Sequence, residues 1–265
     1  KPAEAEGKYR RALAIWEKLA DEYPLNVQYR TRLGHLYIQF GDWDKAIAEY
    51  TQAIDLAPDR WESWYERAKV YARRRLNKNA LNDFSKAIEL NPLLDDAWHY
   101  RANIYSMMGD LEKALAGYST ATGLAPNNFW HWLRRGQTYA RLKQWPNVVA
   151  DCTRGLELKA DSASAVSELR QTRGDAYAAL GQWDKAAGDY SEMLKLSPND
   201  FNAFRSRAVA YVKLNRPELA VADLRQAFSK GFKDLEGLRK DDAFAPLRDR
   251  DDFKKLLAEQ DAKKK

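Results

Sequence analysis

Apolar and small residues recur along this chain with a period of 34 residues. In each period, a first segment places a small residue and a tyrosine at i+4 and i+7, and in four of the six periods an aromatic residue stands at i, as in Trp64, Ala68 and Tyr71. A second segment repeats small and aromatic residues at helical spacing, as in Ala80 and Phe84, and a proline or polar turn follows it. These spacings predict an all-α chain with two amphipathic helices in each period.

The period divides most of the chain into six repeats. They cover residues 27–60, 61–94, 95–128, 129–162, 167–200 and 201–234. Residues 1–26 carry only the second-helix pattern, so we expect an incomplete N-terminal repeat and a native protein that continues upstream of Lys1. The four inserted residues 163–166 make about one helical turn, which predicts a longer helix capped near Ser162. Residues 235–265 break the period and predict a helical C-terminal cap that ends in a basic tail.

The small residues and tryptophans of the pattern are expected to build the core. Glycine or alanine occupies the eighth position of every repeat, and we expect it to let the two helices approach closely. The tryptophans at the fourth position, Trp64, Trp98 and Trp132, could instead form an aromatic ladder that stacks a ligand. Their place on the apolar face favours core packing, because aromatic side chains bury large areas in such interfaces. Cys152 stands at an aromatic position and is expected to be a buried small hydrophobe.

An arginine at the seventh position lies on the inward face of most first helices. In four repeats an aspartate follows it 16 residues later, in the pairs Arg67–Asp83, Arg135–Asp151, Arg173–Asp189 and Arg207–Asp223. A buried guanidinium without a partner is unfavourable, so we predict a partly buried ion pair between the two helices of each hairpin. Arg101 tests this prediction, because Gly117 stands where its aspartate would be and another acceptor is needed.

The charge balance does not point to a nucleic-acid partner. The 265-residue chain has 44 Lys and Arg against 38 Asp and Glu, a net charge of +6. This modest excess lacks the clustered basic stripe that is typical of nucleic-acid binders. A titration with DNA or RNA at low salt tests that alternative. We also expect no membrane partner, because no run of 18 apolar residues is present. We expect a cytoplasmic location, since the single cysteine fits a reducing compartment.

The sequence offers no catalytic or cofactor-binding motif. A single cysteine, Cys152, allows neither an internal disulfide nor a thiolate zinc cluster. The three histidines, His35, His99 and His131, are too far apart in sequence to form a local metal-ligand set. Neither a phosphate-binding loop nor a nucleophile elbow occurs. We therefore expect no enzymatic activity, no metal and no cofactor.

The recurring series W/L-x-x-R/L-G/A-x-x-Y, A, Y/F, A, P resembles the tetratricopeptide-repeat (TPR) family. This resemblance implies a right-handed α-solenoid of antiparallel helix hairpins that serves as a protein-interaction scaffold, with a concave groove for a peptide or partner domain. The opening segment AEGKYRRALAIWEKLADEYPLNVQYRTRLG is similar to a stretch of large bacterial signalling proteins, among them serine/threonine kinases with C-terminal arrays. That second resemblance implies an alternative, a regulatory or substrate-recruiting region of an enzyme whose catalytic domain lies upstream.

The resemblance also implies which side chains face the groove, at positions 2, 5, 6, 9, 12 and 13 of each repeat. In the second to fourth repeats these include Tyr65, Lys69, Arg73, His99, Tyr100, Asn103, Trp130, Arg134, Gln137 and Arg141. We expect a protein or peptide partner with apolar and acidic side chains to lie across them. The aromatic residues would supply apolar contact and the cations would orient acids. The set of Lys, Asn and Arg with which some relatives grip a terminal carboxylate is absent from three successive repeats.

Overall fold

The computed structural model describes residues 2–158 and 162–263. Ala160, which replaces the proline that ends other repeats, and the basic-tail residues Lys264 and Lys265 lie outside the described residues. In the described ranges all regular structure is helical. The prediction of an all-α fold built from consecutive helices is therefore confirmed.

A first compact unit ends at Pro126 and contains seven helices. They are α1 (Pro2–Glu22), α2 (Val27–Phe40), α3 (Trp43–Leu56), α4 (Trp61–Arg73), α5 (Asn77–Leu90), α6 (Asp95–Met108) and α7 (Leu111–Leu124). The helices α2 to α7 form three hairpins, each made of two helices that pack along their length. Helix α1 packs on α2 in the way that α3 packs on α4 and α5 on α6.

The second unit begins at Asn127. Its helices are α8 (Phe129–Arg141), α9 (Trp145–Glu157), α10 (Ala163–Ala179), α11 (Trp183–Leu196), α12 (Phe201–Lys213), α13 (Pro217–Ser229), α14 (Leu235–Lys240) and α15 (Asp251–Ala262). A 3₁₀ helix, Asp242–Leu247, lies between α14 and α15. Helix α10 is longer than its counterparts and begins where predicted, with the Ser162 side chain capping the amide of Ala165.

The glycines at the eighth position allow the helices of a hairpin to meet without an intervening side chain. A Cβ placed on Gly34 would lie 2.8 Å from the Tyr50 ring, and one on Gly174 would lie 2.8 Å from the Tyr190 ring. Real Cβ atoms do not approach this closely. The ring of the buried tyrosine on the second helix therefore packs directly against the backbone of the first helix at the glycine.

The tryptophans of the fourth position are half-buried and structural. Trp64 and Trp98 pack on the hydrophobic cluster of the second repeat. Their indole Nε1 atoms donate to the carbonyl oxygens of Pro58 and Pro92, each at 3.0 Å. Each indole thus fastens the turn that precedes its helix, and the prediction of core packing is confirmed for these two residues.

The arginine–aspartate pairs are confirmed in all four repeats. In the first unit, Arg67 Nε donates to Asp83 Oδ2 at 2.7 Å and a terminal nitrogen donates to Oδ1 at 3.0 Å. The second unit repeats this two-pronged contact in Arg135–Asp151, Arg173–Asp189 and Arg207–Asp223, at 2.7 to 2.8 Å. Such paired hydrogen bonds fix both side chains and satisfy the buried charges.

Arg101, which has no aspartate at the corresponding position, makes two other contacts. Its guanidinium lies 4.6 Å from the centre of the Trp98 ring and donates to Ser85 Oγ at 3.2 Å. Burial lowers the pKa of Arg101 below its usual value. Gly117 cannot become an aspartate without disturbance, because its Cβ would lie 2.8 Å from the Ala102 Cβ. Close contact between α6 and α7 therefore replaces the ion pair in this repeat.

The predicted C-terminal cap forms a continuous apolar lining. Leu238, Phe244, Leu247, Phe253 and Leu256 are buried against α12 and α13. This lining covers the apolar face of α13, which would otherwise meet water at the end of the array.

Candidate functional site

The first helices of the three hairpins in the first unit form one face with a continuous depression. Three adjoining concavities lie along it, with volumes of about 590, 380 and 220 Å³. His35 and Glu66 line both the first and the second, and Lys69 and Arg73 line both the second and the third. We call this depression, which runs over α2, α4 and α6, the trough.

The wide end of the trough lies where the N-terminal halves of α2 and α4 meet. Its walls include Trp61 and Leu94 as apolar surface. Three carboxylates and two arginines also line it, namely Glu62, Glu66, Asp96, Arg32 and Arg60. Arg60 lies 3.4 Å from Glu62, so part of this charge is already balanced within the wall.

The middle of the trough is organised around Glu66. Its carboxylate accepts from Lys69 Nζ at 2.8 Å, and His35 Nε2 lies 3.2 Å from it. Burial alone would raise the pKa of Glu66, but the hydrogen bonds from His35 and Lys69 outweigh it and hold the pKa below the usual value. Glu66 is therefore an ionised carboxylate that fixes the positions of two neighbouring side chains.

A buried tyrosine lies next to this cluster. Tyr50 is fully buried, and its ring meets the His35 ring edge-on with centroids 5.7 Å apart. Within the described residues its hydroxyl has no hydrogen-bond partner. Burial, with the nearby charge of Glu66, raises its pKa, so the hydroxyl stays protonated and the ring acts as a fixed support for His35.

The narrow end of the trough lies between the C-terminal halves of α4 and α6. Ala72 and Ile104 line its apolar part, together with Tyr100 and Met107, which are 38% and 65% exposed. Lys69, Arg73, Asn77 and Asn103 complete the lining. No carboxylate lines this end among the described residues. Because Lys69 is paired with Glu66, this end combines apolar surface with the positive charge of Arg73.

The six groove residues predicted in the first unit lie on or near the trough, but not all are accessible. Tyr65 is only 9% exposed, because its ring packs edge-on against Phe84 and Tyr100 at 5.9 and 6.1 Å. Tyr65 therefore lines the wide end of the trough but exposes little of its ring, so the apolar contact expected from it is small. His99 is half-buried, with its ring against Tyr100 and Tyr118.

The four predicted residues of the second unit lie on α8, where Trp130, Arg134 and Gln137 form a cluster. Trp130 is 38% exposed, and the guanidinium of Arg134 lies 5.8 Å from its ring centre. Arg134 donates to Gln137 Oε1 at 2.8 Å and lies 3.9 Å from Glu168 on α10. Arg141 is exposed at the end of α8. A carboxylate that the sequence argument did not consider, Glu168, thus already engages this cationic group.

Several trough residues were missed from the sequence. Arg32 and Gln39 occupy positions 6 and 13 of the first repeat, and Met107 occupies position 13 of the third. Their repeat positions match those of Tyr100 and Arg73, so the periodicity itself was the available signal. Asn77 gave no such signal, because it begins a second helix.

Comparison with known proteins identifies the repeats. Profiles described as tetratricopeptide repeat match residues 1–59, 31–95 and 84–116, and one described as TPR repeat matches residues 174–215. No curated protein sequence matches the chain. None of the helices that the structure describes has the length and apolar character needed to span a bilayer.

Several solved structures with a similar fold are described as TPR proteins. The C-terminal part of a TPR repeat-containing protein from Cytophaga hutchinsonii is 14% identical, with a TM-score of 0.71 over 88% of this chain and 96% of that one. A TPR protein from Parabacteroides merdae is 18% identical, with a TM-score of 0.64 over 89% and 91%. YrrB, described as a TPR protein with an unusual peptide-binding site, is 21% identical, with a TM-score of 0.62 over 69% and 92%. At these identities the likeness shows the fold, consecutive hairpins of the TPR solenoid class.

Proposed function

Because the chain is built from tetratricopeptide repeats, a fold that serves in general as a protein-interaction module, we propose that it binds a peptide segment of a partner protein in the trough. In this proposal the chain holds its partner and carries out no chemistry on it. The trough is continuous and open, and it combines apolar walls with several polar groups that converge on it, as ligand-binding clefts do.

One observation supports the trough most directly. Tyr100 and Met107 are exposed in a concavity beside two cations, while Ala97, Ala102 and Ile104 of the same helix are buried. Aromatic residues and methionine are enriched at the centres of protein interfaces, where they fill pockets of the partner or accept its side chains. An exposed pair of this kind gives a partner apolar area to bury.

The similar structures support the same kind of role. YrrB is described as having an unusual peptide-binding site, which makes peptide binding a reasonable function for a chain with a similar array. The partner is expected to be acidic where it meets Lys69 and Arg73, because charge complementarity speeds association and excludes like-charged competitors.

Selection from random peptides displayed on phage tests this function. The full chain is immobilised, and the selected peptides are then measured against a charge-reversed variant, Lys69→Glu with Arg73→Glu. The matched control is Lys78→Glu with Lys86→Glu, two lysines of α5 outside the trough lining. We expect the first variant to weaken binding by about tenfold or more, about 1.4 kcal/mol, and the control to leave it unchanged. Equal affinity for both variants would mean that the trough is not the binding surface.

The cluster of the second unit supports an additional contact with the partner. Trp130 and Arg134 are expected to weaken binding when changed to alanine without unfolding the array, since both side chains lie at the surface. If circular dichroism is unchanged and affinity for a partner is also unchanged in both variants, that contact is ruled out.

A second proposal concerns recruitment. The resemblance of the opening segment to bacterial signalling proteins supports a role in bringing a substrate to an enzyme, for example a serine/threonine kinase. Proximity labelling in cells with the full chain as bait tests it, and a set of neighbours without any enzyme would count against it.

A further inference from the structure

The trough changes in charge from one end to the other. At the wide end three carboxylates face two arginines. In the middle Glu66 is the sole carboxylate in the lining against Arg32, Lys69 and Arg73. At the narrow end no carboxylate contributes to the lining. Lys69 is held there by Glu66 of the middle segment, and Arg73 supplies the positive charge. A ligand that lies along the trough therefore meets a potential that becomes more positive towards the C-terminal ends of the first helices.

The apolar surface of the trough is concentrated at that same positive end. Met107 and Tyr100 stand one above the other on α6, seven residues apart and on one helical face. Between them the buried side chain of Ile104 forms the floor. The volume of about 220 Å³ suits a single apolar side chain, and the flexible thioether of methionine can adapt to its shape.

Two amide side chains flank this pocket from different helices. Asn77 begins α5, and Asn103 lies on α6. An amide group can donate and accept at the same time, which suits the alternating N–H and C=O groups of a peptide backbone. The pocket therefore offers contacts for a side chain and for the main chain that carries it.

From this arrangement, and resting on the proposed peptide-binding function, we infer that the trough recognises a peptide motif in which apolar and charged residues follow one another in a fixed order. The motif is an apolar anchor residue in the narrow pocket with an acidic residue directly beside it, and a basic or neutral residue at the wide end. The partner is thus an internal segment of a protein with its charges in that order, and an acidic segment of uniform charge fits less well.

The geometry of α4 sets the spacing of the motif. Residues 61–66 of this helix line the wide end and residues 69–73 line the narrow end. The centres of these two segments are about seven residues apart, or about 10 Å at 1.5 Å per residue. An extended peptide covers that distance in about three residues.

Two fluorescein-labelled peptides of identical composition test the motif. The first, Ser-Lys-Ser-Ser-Leu-Glu-Ser, places the acid beside the anchor, and the second, Ser-Glu-Ser-Ser-Leu-Lys-Ser, exchanges the two charges. Fluorescence anisotropy with the full chain at low salt is expected to show about tenfold tighter binding of the first peptide. Since only the order of the charges differs, a difference cannot come from net charge.

Two neighbouring methionines provide the matched protein variants. Met107→Gln makes the pocket polar at nearly constant size, and Met108→Gln changes the next residue, which is 53% exposed and outside the trough lining. We expect the first variant to weaken binding of the Leu-Glu peptide by at least about fivefold and the second to leave it unchanged.

The outcomes separate the motif from the general function. Equal binding of the two peptides, equal effects of the two methionine variants, or no binding of either peptide would overturn the motif. If the charge reversal at Lys69 and Arg73 still weakens binding of the phage-selected peptides in that case, the trough remains a peptide-binding site that recognises a different motif. If the selected peptides are also indifferent to that charge reversal, the motif and the proposed function fail together.

Discussion

Removing the charge of Asp83 is expected to destabilise the first unit more than removing one partner of an exposed ion pair would. The carboxylate receives two hydrogen bonds from Arg67, and the two side chains are 6% and 12% exposed. Asp83→Asn keeps the size of the side chain and one acceptor oxygen, but it leaves a mostly buried guanidinium without its counter-charge. Breaking a buried pair in this way costs roughly 3–5 kcal/mol.

The structure places the expected loss at the lower end of that range. Arg67 would keep its hydrogen bond to Thr51 Oγ1 at 2.8 Å and its position 5.1 Å from the Trp64 ring. Arg101 shows that a seventh-position arginine can be held by a hydroxyl and an indole without a carboxylate. We therefore expect a loss of about 3 kcal/mol for Asp83→Asn, and about 1 kcal/mol for Arg101→Met, which removes one hydrogen bond and leaves no carboxylate behind.

Urea unfolding followed by far-ultraviolet circular dichroism at neutral pH measures both losses, with the m-values compared to exclude a change in cooperativity. The double variant Arg67→Met with Asp83→Leu completes the comparison, because removing both charges leaves nothing unpaired and is expected to cost far less than Asp83→Asn. If Asp83→Asn costs no more than Arg101→Met, or if the double variant is as unstable as the single one, the reasoning from a buried charge is refuted.

Three further predictions follow from single contacts. Gly174→Ala is expected to cost roughly 1–3 kcal/mol, because its Cβ would overlap the buried Tyr190 ring, whereas Gly188→Ala, which meets nothing within 4 Å in α11, is expected to stabilise by about 0.5–1 kcal/mol; thermal unfolding of the two variants checks this. The folded-state pKa of Glu66 lies below its usual value of 4.5, so its contribution is fully present above pH 4.5 and is lost as pH falls through the folded pKa; the stability difference between wild type and Glu66→Gln, measured against pH, should shrink in that window. Burial raises the pKa of Cys152 to about 12, so a disulfide reagent should modify it only as fast as the chain unfolds.

The contacts inside each hairpin were predictable because the repeat reports them several times. One arginine and one aspartate 16 residues apart prove little, but four such pairs in phase define which helix faces meet. The close approach at Gly34 and Gly174 followed from the same repetition. Residues that must fit a neighbouring backbone or charge have few alternatives, so their identity carries structural information.

The trough was less predictable, because the free face of each first helix has no such constraint. Periodicity located the positions, yet it could not tell that Tyr65 turns towards Phe84 while Tyr100 stays exposed. Nor could it show that Glu66 binds Lys69 and leaves Arg73 as the freer cation. These outcomes depend on the rotamers and on which side chains of the adjacent repeat compete for the same space.

A serine or threonine near each arginine–aspartate pair was predictable from the repeat pattern but was overlooked. Two residues after the paired aspartate or its equivalent, the first, second, fourth and fifth repeats carry Thr51, Ser85, Thr153 and Ser191. Each of these hydroxyls accepts a hydrogen bond from the seventh-position arginine of the next repeat. A lone hydroxyl on a helix reads as a solvent-facing residue, so its role emerges only when the next hairpin is in place. No further repeat with a seventh-position arginine follows the sixth repeat. At the corresponding position the sixth repeat has Arg225, which forms an ion pair with Glu259 of α15. The same position that joins one repeat to the next therefore joins the last repeat to the cap, and its change from hydroxyl to cation marks in the sequence where the array ends.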